Sequence, residues 1–518
     1  MRIFLAFEGG GAKGVVHVGA LRALETQDFQ IAGVAGTSAG AIVASLVAAG
    51  YTSSELISAD GSSPALEAIG LESATDFFGS NWTRLAVASW ATSDPLVAGI
   101  LALLPCAGLS AAIGVWLETG IAWTVLLFIV MGVCLTMAAG AYACRGLATL
   151  NVLVAKLELA LSRKLGLPDG EPVLFRHLDA VGRPLRVVAT DLAARRLKLF
   201  SSSETPNIRV SEAVAASAAL PIACGHRIID GRKYVDGGIV SNLPAWTFDE
   251  ERALDPDAVT IAISIDDGRA VTGDVDVTPY RMLTSVLLAA MFGRRHLETR
   301  AAPRLVDVHL ETNIGVIDFD MTRDRARIAV EDAARAAEAD ISQRLVILPN
   351  RFEEACEKVR DQIDLRLSPA PTEARTRVLV ALRDPGAVAS WRVQYGCGIL
   401  PVDTDDQLLL PEDATVVGRC VQYGAPVLEA APLQGNIGLE GVANRYRRAL
   451  VRADLEWCLA IPIFPVGRGR PVAVVTVDSN VPVRYFRFDE DVVEALADVA
   501  SGLVLPVVAS ARDLQVIR

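Results

Sequence analysis

The stretch that decides the fold is Ile31-Ala32-Gly33-Val34-Ala35-Gly36-Thr37-Ser38-Ala39-Gly40, which leads into the apolar run Ala41 to Val47. An apolar strand, a tight turn with serine at its apex and a following helix are typical of a nucleophile elbow. Gly36 and Gly40 permit the strained turn, and the helix start favours negative charge at Ser38. The G-x-S-x-G spacing also occurs in ordinary turns of small residues, so two further motifs must support this interpretation.

The second motif is a glycine loop near the N-terminus. Residues 8–14, Glu-Gly-Gly-Gly-Ala-Lys-Gly, lie between the apolar run Ile3 to Phe7 and a helix-like stretch from Val15 to Leu24. Such a loop lets backbone N–H groups converge on an anion, either a phosphate or the tetrahedral oxyanion beside a serine nucleophile. The sequence fits neither nucleotide fingerprint, because G-x-x-x-x-G-K-[ST] is absent and no G-x-G-x-x-G has an acidic residue about twenty positions later.

The third motif places an aspartate on a glycine turn. Tyr234-Val235-Asp236-Gly237-Gly238 follows a predicted strand and precedes Asn242-Leu243-Pro244. The glycines leave room for the backbone to direct the Asp236 carboxylate. Taken alone, this motif would indicate a turn or an Asx cap.

In this order the three motifs resemble the patatin-like phospholipase family, and the resemblance runs from Arg2 to about Leu345. Shorter matches are His17-Val18-Gly19, Ala189-Thr190-Asp191-Leu192, residues 213–221 and Asp230-Gly231-Arg232. The family carries aspartate at the position of Glu8, a mild departure that we do not expect to disturb the loop.

The resemblance implies a three-layer α/β/α fold and an acyl hydrolase with a Ser–Asp dyad, without cofactor or metal. Ser38 would be the nucleophile and Asp236 the base that takes its proton. The implied oxyanion hole is formed or supported by the glycine loop, and glycines beside the dyad support its turns. These residues are Gly9, Gly10, Gly11, Ala12, Lys13 and Gly14 for the hole, and Gly36, Gly40, Gly237 and Gly238 for the turns.

A Ser–His–Asp triad is the competing interpretation. His296 and His309 lie downstream of Asp236, as the α/β-hydrolase order requires. His296 follows two arginines on a predicted helix, and His309 lies in a predicted strand. Neither occupies a recognisable catalytic loop, so the dyad is favoured.

Composition excludes several classes of protein. The chain has 518 residues, 52% of them hydrophobic, and a net charge of −12, which argues for two or three domains and against nucleic acid as a partner. The eight cysteines form no C-x-x-C motif and show no ligand-like pairing with histidine. They are interpreted as reduced thiols, and a metal site is not expected.

The apolar excess is concentrated in residues 96–144. The runs 96–117 and 119–144 contain no charged residue and are separated by Glu118. Each is long enough to cross a bilayer. We interpret them as a transmembrane helical hairpin inserted into the catalytic domain, with a re-entrant hairpin and a buried core hairpin as alternatives. By the positive-inside rule, Arg84, Arg145 and Lys156 weakly favour a cytoplasmic position for both ends. The Ala/Arg/Val-rich composition suggests a bacterium, so the expected location is the bacterial inner membrane.

Alternating predicted strands and helices indicate a mainly parallel, doubly covered sheet in residues 1–345. Residues 346–372 predict a helical connector with apolar positions at 352, 356, 359, 363 and 367, serving as a stalk, a dimerising coil or a helix packed on the last domain. Residues 373–518 resemble a GAF domain. The resemblance rests on Gly418 to Val427, the predicted hairpin from Cys458 to Asp478, and Phe486 to Asp491.

A GAF-like domain implies an α+β sensor of an unknown small ligand, or a homodimerisation module. The favoured function is therefore a membrane-anchored serine acyl hydrolase that cleaves fatty-acyl esters of phospholipids in the bilayer and is regulated by its C-terminal domain. The alternatives are a catalytically weak membrane sensor or scaffold, and a regulated lipase effector that damages membranes.

Overall fold

A computed structural model describes the chain outside the long apolar segment and several loops. The described residues are 1–27, 29–68, 148–168, 170–221, 223–255, 258–267, 304–316, 318–365, 374–384, 389–400, 403, 408–413, 415–430, 451–452, 454–467, 469–486 and 488–513, with isolated positions within 75–134 and 286–299. They form two compact units, Met1–Ala339 and Asp340–Arg518. Apart from isolated positions, the predicted hairpin at 96–144 lies outside the described residues.

A mixed sheet of eight strands forms the centre of the N-terminal unit. In chain order the strands are β1 (Arg2–Phe7), β2 (Gln30–Thr37), β3 (Leu185–Asp191), β4 (Arg196–Phe200), β5 (Arg227–Ile229), β6 (Arg232–Asp236), β7 (Ala258–Asp267) and β8 (Leu305–Thr312). Their spatial order is β5-β6-β3-β2-β1-β7-β8, and β4 also pairs with β3. The five neighbouring strands β3, β2, β1, β7 and β8 are parallel, as predicted. The strands β4, β5 and β6 pair antiparallel.

Helices cover both faces of this sheet. They are α1 (Val16–Glu25), α2 (Ala39–Ala49), α3 (Ser53–Leu56), α4 (Pro64–Ala68), α5 (Asn151–Leu165), α6 (Phe175–Ala180), α7 (Val210–Ser217), α8 (Asp249–Leu254) and α9 (Arg323–Ser342), with 3-10 helices at Gly11–Val15, Gly237–Ile239 and Ala245–Phe248. The alternation of side chains along β1 shows the two faces. Phe7 contacts His17 of α1, while Phe4 stacks on Phe248 at 4.6 Å. The unit is therefore a three-layer α/β/α structure.

The pairing along β3 brings two distant strand ends together. β2 pairs with Leu185 to Val188, and β6 pairs with Ala189 to Asp191. Because β4 covers Val187 to Asp191 along the other edge, β2 and β6 share one edge of β3 and meet end to end. In this register Thr37 is paired with Val188, and Asp236 is paired with Ala189. The residues that follow β2 and end β6 are thereby neighbours.

The C-terminal unit has a six-stranded antiparallel sheet of order β11-β10-β9-β14-β13-β12. The strands are β9 (Thr376–Arg383), β10 (Ser390–Cys397), β11 (Leu409–Pro411), β12 (Val427–Ala430), β13 (Trp457–Ile463) and β14 (Ala473–Ser479). The helices are α10 (Leu348–Asp364), α11 (Val416–Tyr423) and α12 (Glu490–Asp513), with a π-helix at Gln343–Ile347 and a 3-10 helix at Val483–Tyr485. Apolar residues of α10 and α12 pack on one face of the sheet and those of α11 on the other.

The helix predicted as a connector belongs to the core of this unit. Phe352, Cys356, Val359 and Ile363 of α10 are fully buried against the sheet and α12. Their spacing is the apolar stripe noted in the sequence, and its last position, 367, lies outside the described residues. The stripe is therefore covered within the unit, so α10 is a packing helix rather than a free stalk.

A single helix among the described residues has the length and apolar composition to cross a membrane, Glu490–Ala511. Its residues Leu496, Ala500, Val504 and Val508 are buried in the core of the C-terminal unit. Its length and composition are a weak indication of membrane association, because core helices share these properties.

Candidate active site

Ser38 occupies a strained turn between β2 and α2. Its backbone has φ 53° and ψ −125°, a conformation that residues with a side chain rarely adopt. Its N–H donates to Ser217 Oγ at 2.9 Å, and that hydroxyl donates to Val188 O at 2.6 Å. Gly36 is required here, because a Cβ on it would lie 2.3 Å from Gly40 O. The turn thus has the backbone geometry of a nucleophile elbow.

The Ser38 hydroxyl donates directly to a buried carboxylate. The distance from Ser38 Oγ to Asp236 Oδ2 is 2.7 Å, although the residues are 198 positions apart. Asp236 Oδ1 accepts from the Gly238 N–H at 2.8 Å, and Thr190 Oγ1 donates to the Asp236 carbonyl at 2.8 Å. Both carboxylate oxygens and the backbone of Asp236 are therefore fixed.

Burial changes the chemistry of this carboxylate. Asp236 is 1% exposed, and the loss of water raises its pKa from 3.8 to about 6, against the opposing hydrogen bonds from Ser38 and Gly238. A carboxylate with a higher pKa is a stronger base toward a hydroxyl. It is still mostly ionised at pH 7, so it can accept the Ser38 proton.

His309 and His17 make their hydrogen bonds to residues other than Ser38 and Asp236. His309 on β8 is bonded to Ser264 Oγ at 2.7 Å, and His17 on α1 is bonded to Glu8 O at 2.8 Å. Burial lowers the pKa of His17 to about 4, so its ring is neutral. His296, the other residue weighed for a triad, lies outside the described residues. The direct contact between Ser38 and Asp236 leaves no place for an imidazole between them.

The glycine loop lies against the elbow. A Cβ on Gly9 would lie 3.0 Å from Ser38 Cβ, and one on Gly14 would lie 2.9 Å from Ala39 Cβ. Lys13 is 3% exposed, and its Nζ lies 5.6 Å from the centre of the Phe292 ring. The loop is thus close enough to the serine to act on a substrate bound there.

Hydrogen bonds within the fold reduce the number of loop amides that could donate to an oxyanion. The Gly9 N–H donates to Asn242 O at 3.1 Å, the Ala12 N–H to Val316 O at 2.8 Å and the Lys13 N–H to Gly10 O at 3.2 Å. These three amides are engaged within the fold, so Ala12, whose N–H the family resemblance offered as an additional donor, is not available to an oxyanion. Gly14 lies inside the 3-10 helix and only supports the loop.

Two loop amides remain as donors. Within the part of the chain that the structure describes, the N–H groups of Gly10 and Gly11 have no backbone acceptor. Gly11 has φ 57°, and a Cβ there would lie 2.2 Å from Val316 O, so only glycine fits. Ala39, which follows the nucleophile, likewise has an N–H at the start of α2. An oxyanion hole is commonly built from these two positions, the glycine loop and the residue after the serine.

Several supporting residues carry no catalytic signature in the sequence. Ser217 holds the elbow amide, and Thr37 Oγ1 donates to Ser241 O at 3.0 Å. Asp191 Oδ1 accepts from the N–H groups of Ala193 and Ala194, each at 3.0 Å, and so shapes the turn after β3. Ser217 and Asp191 lie in two of the shorter segments that resemble the family. The resemblance pointed to these segments but did not indicate what the two side chains do. Among the described residues, no group of three or more His, Cys, Asp and Glu side chains could hold a metal ion.

The segments that hold the candidate site match a known family model. Residues 5–70 and 145–249 match the family model described as patatin-like phospholipase. Both stretches lie in the N-terminal unit, which therefore carries a patatin-like phospholipase domain over about a third of the chain.

Individual proteins share shorter or more distant similarity. The uncharacterized protein YqhO of Bacillus subtilis is 54% identical over 50 residues, which cover 10% of this chain and 17% of YqhO. VipD from Legionella pneumophila is 15% identical over 70% of this chain and 75% of its own, with a TM-score of 0.29. A GAF domain/HD domain protein from Geobacter sulfurreducens is 16% identical over 33% of this chain and 98% of its own, with a TM-score of 0.24.

Proposed function

We propose that this protein is a membrane-anchored serine hydrolase that cleaves fatty-acyl esters of phospholipids with Ser38 as nucleophile and Asp236 as base. The observation that carries the proposal is the hydrogen bond from Ser38 Oγ to Asp236 Oδ2 at 2.7 Å. Ser38 makes this bond from a strained turn that lies next to the glycine loop. A hydroxyl becomes an effective nucleophile when a base within hydrogen-bond reach takes its proton during attack.

The reaction has two halves. Ser38 Oγ attacks the ester carbonyl while Asp236 takes its proton, and the oxyanion is held by the Gly10 and Gly11 N–H groups. The intermediate collapses to an acyl-serine, and Asp236 returns the proton to the departing alcohol oxygen. A water molecule then attacks the acyl-serine with Asp236 again as base, which releases the fatty acid and restores Ser38. Each lost oxyanion donor is expected to slow the reaction roughly 100- to 1000-fold.

Membrane anchoring is supported by the apolar segment 96–144. Its described positions include exposed apolar side chains, among them Trp123 at 67% and Ile129 at 54% exposure. Isolated apolar residues are common on protein surfaces, whereas a cluster this dense favours contact with lipid. An anchor inserted in the catalytic domain would keep the enzyme at the bilayer in which its substrate lies.

The C-terminal unit is proposed as a GAF-like regulator. An antiparallel six-stranded sheet with two helices on one face and a third on the other suits that role, as do the sequence motifs in Gly418 to Val427 and Cys458 to Asp478. Because α10 is part of its core, the cleanest truncation ends at Ala339. If the truncated enzyme matched the full chain in activity and oligomeric state, regulation by this unit would be refuted.

The test of the activity is release of free fatty acid from mixed phospholipid vesicles. Ser38→Ala and Asp236→Asn are expected to abolish release in folded protein. Ser45→Ala is a matched control, because Ser45 is buried in α2, the helix that follows Ser38, and among the described residues its hydroxyl bonds only to Ile42 O, at 2.7 Å. Activity that survives Ser38→Ala would overturn the proposed function.

Membrane attachment is measured separately, by flotation with the same vesicles. The full chain is expected to float, and a variant without residues 96–144 is expected to remain in the dense fractions. Equal flotation of the two proteins would refute the anchor while leaving the hydrolase proposal intact.

A further inference from the structure

A short segment after β6 contacts every part of the site. We call residues 241–243 the clamp segment. Its first carbonyl, Ser241 O, accepts from Thr37 Oγ1 at 3.0 Å, beside the nucleophile. Its second, Asn242 O, accepts from the Gly9 N–H at 3.1 Å, in the glycine loop. The nucleophile turn and the glycine loop are therefore both bonded to one stretch of backbone.

The side chain of Asn242 adds two further bonds to the glycine loop. Its Nδ2 donates to Gly9 O at 3.0 Å and to Glu8 Oε1 at 3.2 Å. Glu8 Oε2 in turn accepts from the Ile265 N–H at 2.7 Å, which connects the loop to β7. Asn242 is 2% exposed, so water cannot replace these bonds if the amide is lost.

The oxygen of the same amide lies between the two glycine turns of the site. Asn242 Oδ1 is buried and has no hydrogen-bond partner among the described residues. A Cβ would lie 2.4 Å from it on Gly9 and 2.6 Å from it on Gly238. In each glycine a Cα hydrogen points along that direction, so Oδ1 receives a weak C–H contact from both turns. The amide therefore spaces the glycine loop from the turn that carries Asp236.

We propose that Asn242 is a positioning residue that sets the Gly10 and Gly11 amides at the right distance from Ser38. The inference rests on the proposed function, since it concerns how the same site stabilises its oxyanion. Asparagine suits the task because it combines two donors with an oxygen in one plane. Aspartate, which has no N–H, could not serve both Gly9 O and Glu8 Oε1. Alanine would remove both hydrogen bonds and leave the space of the carboxamide unfilled.

The carboxyl group of Glu298 also holds the clamp segment in place. Glu298 Oε2 accepts from the Leu243 N–H at 2.8 Å, and burial raises the pKa of this carboxyl. Glu298 also takes hydrogen bonds from Ser241 and from the backbone of Asn242. Glu298 thus holds the backbone of the clamp segment, so the Asn242 carboxamide bonds to the glycine loop from a fixed position.

The experiment compares Asn242→Ala and Asn242→Asp with Thr247→Val in the full chain. Thr247 is a buried control close in sequence, because its hydroxyl bonds only to Pro244 O, at 2.7 Å, within the part of the chain that the structure describes. We expect both Asn242 variants to lower kcat roughly 100-fold, as loss of an oxyanion donor does. KM and the affinity for a non-hydrolysable ether phospholipid should stay within about threefold of wild type, since both report ground-state binding. A fluorophosphonate should label Ser38 more slowly by the same factor as kcat.

Hydrogen exchange gives a readout that does not depend on turnover. We expect residues 8–14 to exchange faster in both Asn242 variants and unchanged in Thr247→Val. Unchanged exchange together with unchanged kcat would overturn the inference while leaving the proposed function intact. Equal losses of kcat and ether-lipid affinity in all three variants would also overturn it, as a general weakening of the fold. A wild type inert toward every ester would refute the proposed function, and faster exchange at residues 8–14 would still support the positional role.

Discussion

Replacement of Asp236 by asparagine should abolish catalysis and at the same time stabilise the fold. Burial raises the pKa of Asp236 from 3.8 to about 6, so the folded state resists ionisation of this group. Between these two pH values the unfolded chain ionises first, and wild type loses stability as the pH rises. A difference of about two pKa units corresponds to about 3 kcal/mol, which is the penalty that the neutral amide avoids above pH 6.

The hydrogen bonds of the site can be kept by the amide. The substituted side chain would accept from the Gly238 N–H through its oxygen and donate from its NH₂ group to Ser38 Oγ, with the hydroxyl rotated. The packing is unchanged because asparagine and aspartate have the same shape. Catalysis is still lost, since an amide cannot take the serine proton. We therefore expect activity to fall at least about 100-fold, the lower end of what a positioned general base contributes.

The assay is the difference in thermal unfolding midpoint between variant and wild type, measured from pH 4 to pH 8. The difference should be close to zero at pH 4 and reach its maximum above about pH 6. Asp191→Asn is the control with the opposite sign, because hydrogen bonds from Ala194, Arg232 and Ala193 lower the pKa of Asp191. That variant should lose stability at neutral pH. An Asp236→Asn variant that is no more stable at pH 8 than at pH 4, relative to wild type, would refute the reasoning.

Three other outcomes follow from the structure. The kcat/KM of wild type should fall as the pH drops through about 6, where Asp236 becomes protonated, and a pH–rate profile measures it. Gly36→Ala should lower activity at least about 100-fold, because its methyl group would lie 2.3 Å from a carbonyl oxygen, whereas Gly502→Ala, with nothing within 4 Å, should leave activity unchanged. Arg377→Ala should destabilise the C-terminal unit by about 1–3 kcal/mol, measured by hydrogen exchange, because it removes the bidentate partner of buried Asp478 at 2.9 and 2.7 Å and leaves that carboxylate with Arg452 Nη1 at 3.3 Å.

The parts of the site that sequence could predict are those whose signal is local. Ser38 and the glycine loop each follow an apolar strand and precede a helix, so about ten consecutive residues are enough to predict their backbone geometry. The parallel centre of the sheet follows from alternating strands and helices in the same way. The antiparallel edge does not, because β4, β5 and β6 are short and tight turns reverse the chain between β3 and β4 and between β5 and β6.

Other features depend on contacts between distant segments. The end-to-end meeting of β2 and β6 depends on the register of both along β3. The bond from the Ser38 N–H to Ser217 spans 179 residues, and the bond from Asn242 to Gly9 O spans 233. The apolar stripe on α10 indicated a buried face, but its partner is a sheet that follows in the chain. Local pattern carries no information on such pairings.

The order of the motifs determines when the site can form during synthesis. The ribosome releases Ser38 first, the apolar segment 96–144 next and Asp236 last. β6 cannot take its place beside β3 before residue 236 emerges, and elongation at about 5–20 residues per second separates it from the apolar segment by roughly 5–20 s. The growing chain therefore exposes its hydrophobic segment to targeting factors while the nucleophile still has no base. In the proposed membrane-anchored hydrolase, the nascent chain would be delivered to the bilayer before its nucleophile and base could meet.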